Sequence, residues 1–309
     1  MKVAVFYYTQ SGQALSAAHH IFSPLPSRGG AGVGSPNPLV VYKPIVPKQQ
    51  YPFPWSTAEF FDTFPETRLG LPPSGIEPID FSDIQDADLV AIVGQSWFLS
   101  PSLPLQSFLT DSEATRYLNG RNVVFVNVCR NMWLMTIRSV KTSLHNAGAR
   151  LVGHIVLQDE APNLVSALTI VRWLIQGKKS ASRLLPAAGV SDSHIVTSAR
   201  FGAIIRSAVA YGQLSALQSK LLDAGAINYK PSILFLEKAG HRMFGLWAKF
   251  IRRKGGFRNP HRLRRVYLFY YYLLVVLFVV SPFAQLFFFL TYPLQRVGRH
   301  RLEDCGVLL

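Results

Sequence analysis

Five short apolar runs alternate with helical patterns through the first half of the chain, and this alternation constrains the fold more than any other feature. Residues 2–8 read KVAVFYY, 39–46 LVVYKPIV, 88–93 DLVAIV, 122–128 NVVFVNV and 150–157 RLVGHIVL. Short apolar runs rich in Val and aromatics are strands covered on both faces, as in a parallel sheet. Helical patterns follow the first run and cover 57–64 (with Ser56 as cap), 105–118, 133–147 and 164–176. Strand and helix in strict succession mean an α/β architecture with right-handed crossovers. A stretch rich in Pro, Gly and Ser at 24–38 interrupts this pattern as a loop or insertion. Its glycines neither follow a strand nor open a helix, so they make no dinucleotide fingerprint. Residues 178–192 are polar and irregular, and 201–224 are helical again.

The last quarter has a different composition. Residues 266–294 carry no charge and exceed the ~20 residues needed to cross hydrocarbon. Tyr267, Tyr270, Tyr271 and Tyr272 stand at one end and Tyr292 at the other, as interfacial aromatics do. Pro282 either kinks one membrane helix or divides a re-entrant hairpin. The chain is only 16% charged, and its net charge is +15. Thirteen of its 32 Lys and Arg, but only two of its 17 acidic residues, lie from Lys238 onward. Basic charge beside an apolar segment points to anionic lipid rather than nucleic acid. Ten of those cations precede the apolar segment, which places the preceding domain on the cytoplasmic face. Cys129 and Cys305 offer no disulfide framework or zinc spacing, and a strand at the very start leaves no room for a signal peptide. No His pair has metal-ligand spacing, so no metal is expected.

The residues that carry chemistry sit after the strands. In an open parallel sheet, ligands bind at the carboxyl ends of the strands. The first such turn is Thr9-Gln10-Ser11-Gly12-Gln13-Ala14. It offers two hydroxyls, a glycine and the free N–H groups of a helix start, which suit a phosphate dianion. No lysine follows, so it is not a triphosphate loop. The loop after the third strand contains Gln95, Ser96, Trp97 and Phe98; that after the fourth contains Cys129, Arg130, Asn131 and Trp133. Trp97, Phe98 and Trp133 can sandwich a flat ring. Together with the phosphate turn, they point to flavin mononucleotide (FMN). Arg130 would place positive charge at the polar edge of the ring and favour its anionic reduced form. Asp159 or Glu160, after the fifth strand, is the candidate base, with helix capping by Asp159 as the competing role. Cys129 reads as a small buried residue rather than a nucleophile.

These motifs resemble the flavodoxin and flavin reductase superfamily, whose sheet order is 2-1-3-4-5. More narrowly, YPFPWSTAEFFDTFPE, WFLSPSLPLQSFL, CRNMWLM and VLQDEAPNLVSALTIVRW resemble the bacterial family labelled dialkylresorcinol condensing enzyme, over roughly residues 1–180. The resemblance implies a flavin-dependent aromatase. A partner ketosynthase would make a dialkyl cyclohexanedione, and this chain would oxidise it to a resorcinol. Condensation itself needs a Cys nucleophile with His partners, and no such set is present. A lipophilic ring substrate would give the membrane segment a purpose, since anchoring raises local concentration. Two other functions fit the same residues: an NAD(P)H-dependent quinone reductase or electron carrier, and a non-catalytic scaffold for the ketosynthase at the membrane. The chain thus divides into an FMN domain (1–180), a helical extension (181–237) and a basic membrane-anchoring tail (238–309).

Overall fold

The computed structural model describes residues 1–23, 39–228 and 230–291. The stretch read as an insertion, Tyr292, the basic residues at 296–301 and Cys305 lie outside the described residues. In chain order the elements begin with β1 (Lys2–Tyr7), α1 (Gln13–Phe22), β2 (Leu39–Pro44), α2 (Thr57–Asp62) and α3 (Phe64–Leu69). Next come β3 (Leu89–Trp97), β4 (Ser100–Pro101), α4 (Leu103–Thr110), α5 (Ser112–Leu118), β5 (Asn122–Cys129), α6 (Leu134–Asn146), β6 (Arg150–Gln158) and α7 (Asn163–Gln176). The chain finishes with α8 (Asp192–Thr197), α9 (Ala199–Ala210), α10 (Leu217–Asp223), α11 (Pro231–Arg252), α12 (Leu263–Val275) and α13 (Ser281–Thr291).

Five strands pair in parallel in the order β2-β1-β3-β5-β6. This is the flavodoxin-like order, because β4 pairs only with β3, as the return arm of a short hairpin. The long apolar runs are explained by cover on both faces. One face packs Phe6, Ile92, Phe125 and Val156 against α4, α5 and α6. The other packs Val5, Val93, Val126 and Ile155 against α1, α9 and α10. Phe201, Ile205, Leu217 and Leu221 belong to that second core, so residues 199–223 complete the sheet's cover rather than forming a separate layer.

Three helical readings need correction. The stretch 105–118 is two helices, because Asp111 turns extended and its carboxylate caps α5 through the amides of Glu113 and Ala114. The stretch 201–224 is also broken, at Gly212, which takes a left-handed φ of 63°. Residues 57–64 end one helix at Asp62 and begin another at Phe64, although the Ser56–Glu59 capping box is present. Gly202 of α9 has a packing reason: a Cβ there would lie 1.8 Å from the carbonyl oxygen of Ile21 at the end of α1. Backbone cannot move aside as a flexible side chain would. Gly202→Ala is therefore expected to cost about 2–3 kcal/mol, read as a lowered denaturant midpoint.

A third cluster joins the C-terminal helices to the domain. Phe61 and Phe64 pack with Phe244, Ala248, Ile251, Val266 and Phe269, and the rings of Phe64 and Phe269 stack at 3.7 Å. Arg262 is fully buried beneath this cluster. It donates from Nε to Asp62 (2.6 Å) and from both terminal nitrogens to Glu66 (2.8 Å each). One of the ten cations counted above is thus a core residue. The helix then runs on through α12, a π-turn at Val276–Val280 and α13 without reversing, so Pro282 does not divide a hairpin. The π-turn lies just N-terminal to Pro282, where the ring would otherwise clash with the preceding turn. Pro260–Ala284 is long and apolar enough to cross a membrane; its apolar stretch of 18 residues has mean hydropathy 2.1 and is only 17% buried.

Candidate functional site

The connections of β1 and β3 leave in opposite directions along the sheet, and a crevice must open where they part. A cleft of about 200 Å3 is found there. Gln10 and Ser11 line it from the turn after β1, Gln95, Ser96, Trp97 and Phe98 from the end of β3, and Cys129 and Arg130 from the end of β5. Most residues of the candidate site therefore converge.

The turn after β1 has the form a phosphate needs. Gly12 starts α1 with φ 85°, and no side chain caps that helix, so its first N–H groups lack intrahelical partners. The Thr9 hydroxyl is buried with no partner among the described residues. Two neighbours have other tasks. The Gln13 side chain donates to the Val190 carbonyl (2.5 Å) and accepts from the Val190 amide (3.3 Å), fastening the loop after α7 to α1. Gln10 donates to the Pro52 carbonyl (3.0 Å). Ala14 is buried on the sheet side of α1, so only its backbone is available.

The loop after β3 is a two-residue hairpin with Phe98 and Leu99 at its tip, at φ 47° and 63°. Consecutive left-handed residues are what such a turn requires, and Asn-Gly is the usual choice. Placing Phe and Leu there stores backbone strain, of the kind that gathers at binding sites. Phe98 reaches the cleft as a result. Trp97 is the hub of an aromatic cluster, 5.4 Å from Tyr51, 5.7 Å from Trp55 and 6.0 Å from Tyr8, and shows the cleft only a small part of its surface. The Ser96 hydroxyl bonds Asn127 (3.0 Å) and Thr136 (2.8 Å).

After β5, Arg130 donates from Nη1 to both the carbonyl and the side-chain oxygen of Asn163, each at 2.9 Å. Asn131 donates to the same side-chain oxygen (2.9 Å). The remaining Arg130 nitrogens make no hydrogen bond among the described residues. Burial lowers the Arg130 pKa to about 10, opposed by the nearby charge of Asp159, so it stays cationic at neutral pH. Burial also pushes the Cys129 thiol well up, leaving it inert.

Asn131, Trp133 and Asp159, expected at the site, lie off the cleft wall; Asn131 is 9% exposed and turned to Asn163. Trp133 is 2% exposed, sits in the main core at the start of α6 against His154, and does not line the cleft. Asp159 is buried, with one oxygen accepting from the Ala161 amide (2.9 Å) and the other from the Ser166 hydroxyl (2.7 Å). Its carboxylate is used in shaping the start of α7, and it does not reach the cleft as a base. Phe53, Phe60 and Trp173, which the loop-by-loop reading missed, supply the facing aromatic wall, with Phe53 and Trp173 edge to face at 5.9 Å. Their signal was present in the YPFPW and VRW strings. Gly189, also on that wall, has no room for a side chain: a Cβ would lie 2.7 Å from Trp173.

The cleft adjoins a larger, predominantly apolar chamber of about 390 Å3. Phe60, Ser96, Phe98, Arg130, Ile170 and Leu174 line both. The chamber's outer walls are α7, α11 and the helix that runs through α12 and α13. Neither cavity is lined by Asp, Glu or His. Among the described residues no group of three His, Cys, Asp or Glu is placed to hold a metal.

Two buried titratable groups lie behind the site. Glu237 of α11 accepts from the Met135 amide (2.8 Å) at the start of α6, while its other oxygen is unpartnered. Burial raises its pKa from 4.5 to about 7. The native state then favours the protonated form, so this contribution is complete below pH 4.5 and is lost as pH rises through 7. His154 has the opposite sign. Burial lowers its pKa from 6.5 to about 3, so its contribution is present above pH 6.5 and is lost on acidification toward 3. In denaturant titrations, Glu237→Gln should gain on the wild type between pH 4.5 and 7, by up to roughly 3 kcal/mol. His154→Leu should remove the acid loss between pH 6.5 and 3.

No family model and no curated protein matches this chain. Among solved structures, a flavodoxin from the domain Archaea matches at 14% identity and TM-score 0.36, over 68% of this chain and 99% of that one. An azoreductase from Bacillus anthracis matches at 11% identity and TM-score 0.32, over 65% and 98%. The Trp repressor binding protein from Bacillus subtilis matches at 10% identity and TM-score 0.30, over 57% and 98%. The fold assignment itself rests on strand order and register.

Proposed function

We propose that the cleft holds FMN and that the chain is a membrane-associated, flavin-dependent oxidoreductase. The observation that carries this reading is the coincidence, at the strand-reversal point, of an uncapped helix start, an unpartnered buried Thr9 hydroxyl and an aromatic-walled cleft with one half-buried cation, Arg130. Thr9, Ser11 and the first amides of α1 would hold the phosphate. Gln95, Ser96, Trp97 and Phe98, joined by Phe53 and Trp173, would hold the ring system, with Asn131 bracing Asn163 behind Arg130. The basic stretch 238–265 and the apolar helix would seat the domain on the cytoplasmic face of a bacterial inner membrane.

The finer reading is aromatisation of a dialkyl cyclohexanedione, delivered by a partner ketosynthase, to a resorcinol. Flavin, when bound, accepts a hydride from the substrate ring. The residues of this chain do the rest. Arg130, braced by Asn163, stabilises negative charge on the substrate oxygen as the acidic proton beside the carbonyl leaves. With no carboxylate or imidazole lining either cavity, that proton passes to water. Loss of one proton and one hydride converts the dione to the aromatic ring, and molecular oxygen would be the terminal oxidant.

Anaerobic mixing of the FMN-loaded protein with a cyclohexanedione carrying two alkyl chains tests this. Loss of the visible flavin absorbance, restored by admitting oxygen, is the expected result. Bleaching by NADH and not by the dione would overturn aromatisation in favour of a quinone reductase.

A further inference from the structure

We infer that the apolar chamber beside the cleft is a binding site for the hydrocarbon chain of an amphiphile, and that the C-terminal helix is its wall as well as the anchor. Three observations support this. First, the chamber has one polar end. Ser96, Arg130 and Asn163 cluster where it adjoins the cleft, while the remaining lining is almost wholly apolar. A molecule with an oxygen-bearing head and a saturated tail matches that polarity, and 390 Å3 lies within the ~300–1,000 Å3 of ligand pockets.

Second, the space exists because small residues face it: Ala167 from α7, Ala239 and Gly240 from α11, and Ala284 from α13. Third, the chamber lies against the apolar helix. Val276, Leu277 and Ala284 line it and are half-buried, while Val279 and Phe283 of the same turns are 52% and 69% exposed. One helix therefore has an inner side on the chamber and an outer side suited to lipid. Burying each further methylene of a chain there contributes about 0.8 kcal/mol, about a fourfold gain in affinity.

The identity of the head's reaction rests on the flavin reading, but occupation of the chamber by a chain does not. The test uses the full chain in lipid nanodiscs, without and with FMN. The probe is a resorcinol with an undecyl chain that ends in a photoreactive diazirine. After irradiation, peptide mapping should find adducts within 236–243 and 276–284 at chamber-lining positions. Unlabelled undecylresorcinol should suppress them at least fivefold, and chainless resorcinol should not. The pair Ala239→Phe and Ala284→Phe should reduce labelling at least fivefold and leave FMN affinity within twofold. Adducts confined to Val279, Phe283 and other outward positions and insensitive to competitor would overturn the inference, even if that pair fails to fold. Chamber labelling in protein that binds no FMN would uphold the inference and count against the flavin reading alone.

Discussion

Arg262→Ala should destabilise the protein by about 3–5 kcal/mol and release the C-terminal helix from its seat on the domain. The side chain is 0% exposed, with Asp62 and Glu66 at 5% and 1%. Its guanidinium answers both carboxylates and the Asp62 carbonyl, and Arg252 and the Arg258 amide complete the shell. Removing the arginine leaves two buried carboxylates without their main partner, and their desolvation is no longer offset. The measurement is the thermal midpoint of the full chain in detergent micelles, with proteolysis between 253 and 263 as the readout of detachment. Removing all three charges together, as Arg262→Met with Asp62→Asn and Glu66→Gln, should recover much of the loss. If Arg262→Ala melts with the wild type, the buried triad does not hold the helix in place.

Arg130→Met should lower the rate of dione oxidation by about a hundredfold or more, the usual cost of removing one donor that stabilises a developing oxyanion. Methionine keeps the side chain's length and apolar stem, so the cleft should stay filled. FMN affinity should fall by tenfold at most, because the phosphate end of the site is unchanged. The loss should lie in the turnover rate more than in KM, since on the proposed mechanism the charge on the substrate oxygen would develop during reaction. Asp159→Asn is the contrasting variant. Its side chain still accepts from the Ala161 amide, so it should change the rate by less than about tenfold if Asp159 only shapes the start of α7. A hundredfold loss there would return Asp159 to the chemistry and contradict the proton route to water.

The strands were legible in the sequence because parallel strands buried on both faces leave continuous apolar runs, and four of the five match the observed strands to within a residue or two, while their order came from the resemblance to flavodoxins. The third ran further than its apolar stretch, to Trp97, because Gly94 to Ser96 are held by pairing with β5 and β4 rather than by hydrophobicity. The glycine turn from β1 into α1 was legible because it is local. What was illegible depends on long-range contact. Arg262 looked like one more basic residue until Asp62 and Glu66, about 200 positions earlier, were brought beside it. Gln13 looked like a ligand residue and is a tie to Val190. Trp133 shares the character of Trp97 in sequence, but it begins a helix and turns into the core. The aromatic wall from Phe53 and Trp173 required knowing that the loop after β2 folds back over the strand ends.

The flavin cleft itself stands or falls on a titration. The full chain, purified in detergent and freed of small molecules, is titrated with FMN and separately with riboflavin, following the quenching of flavin fluorescence. One FMN per chain should bind, about a hundredfold more tightly than riboflavin, because the proposed site would hold its phosphate by charge-assisted hydrogen bonds at the start of α1. Thr9→Val should narrow that difference without weakening riboflavin. Failure to bind FMN, or equal affinity for FMN and riboflavin, would contradict a flavin phosphate site at Thr9 to Ala14.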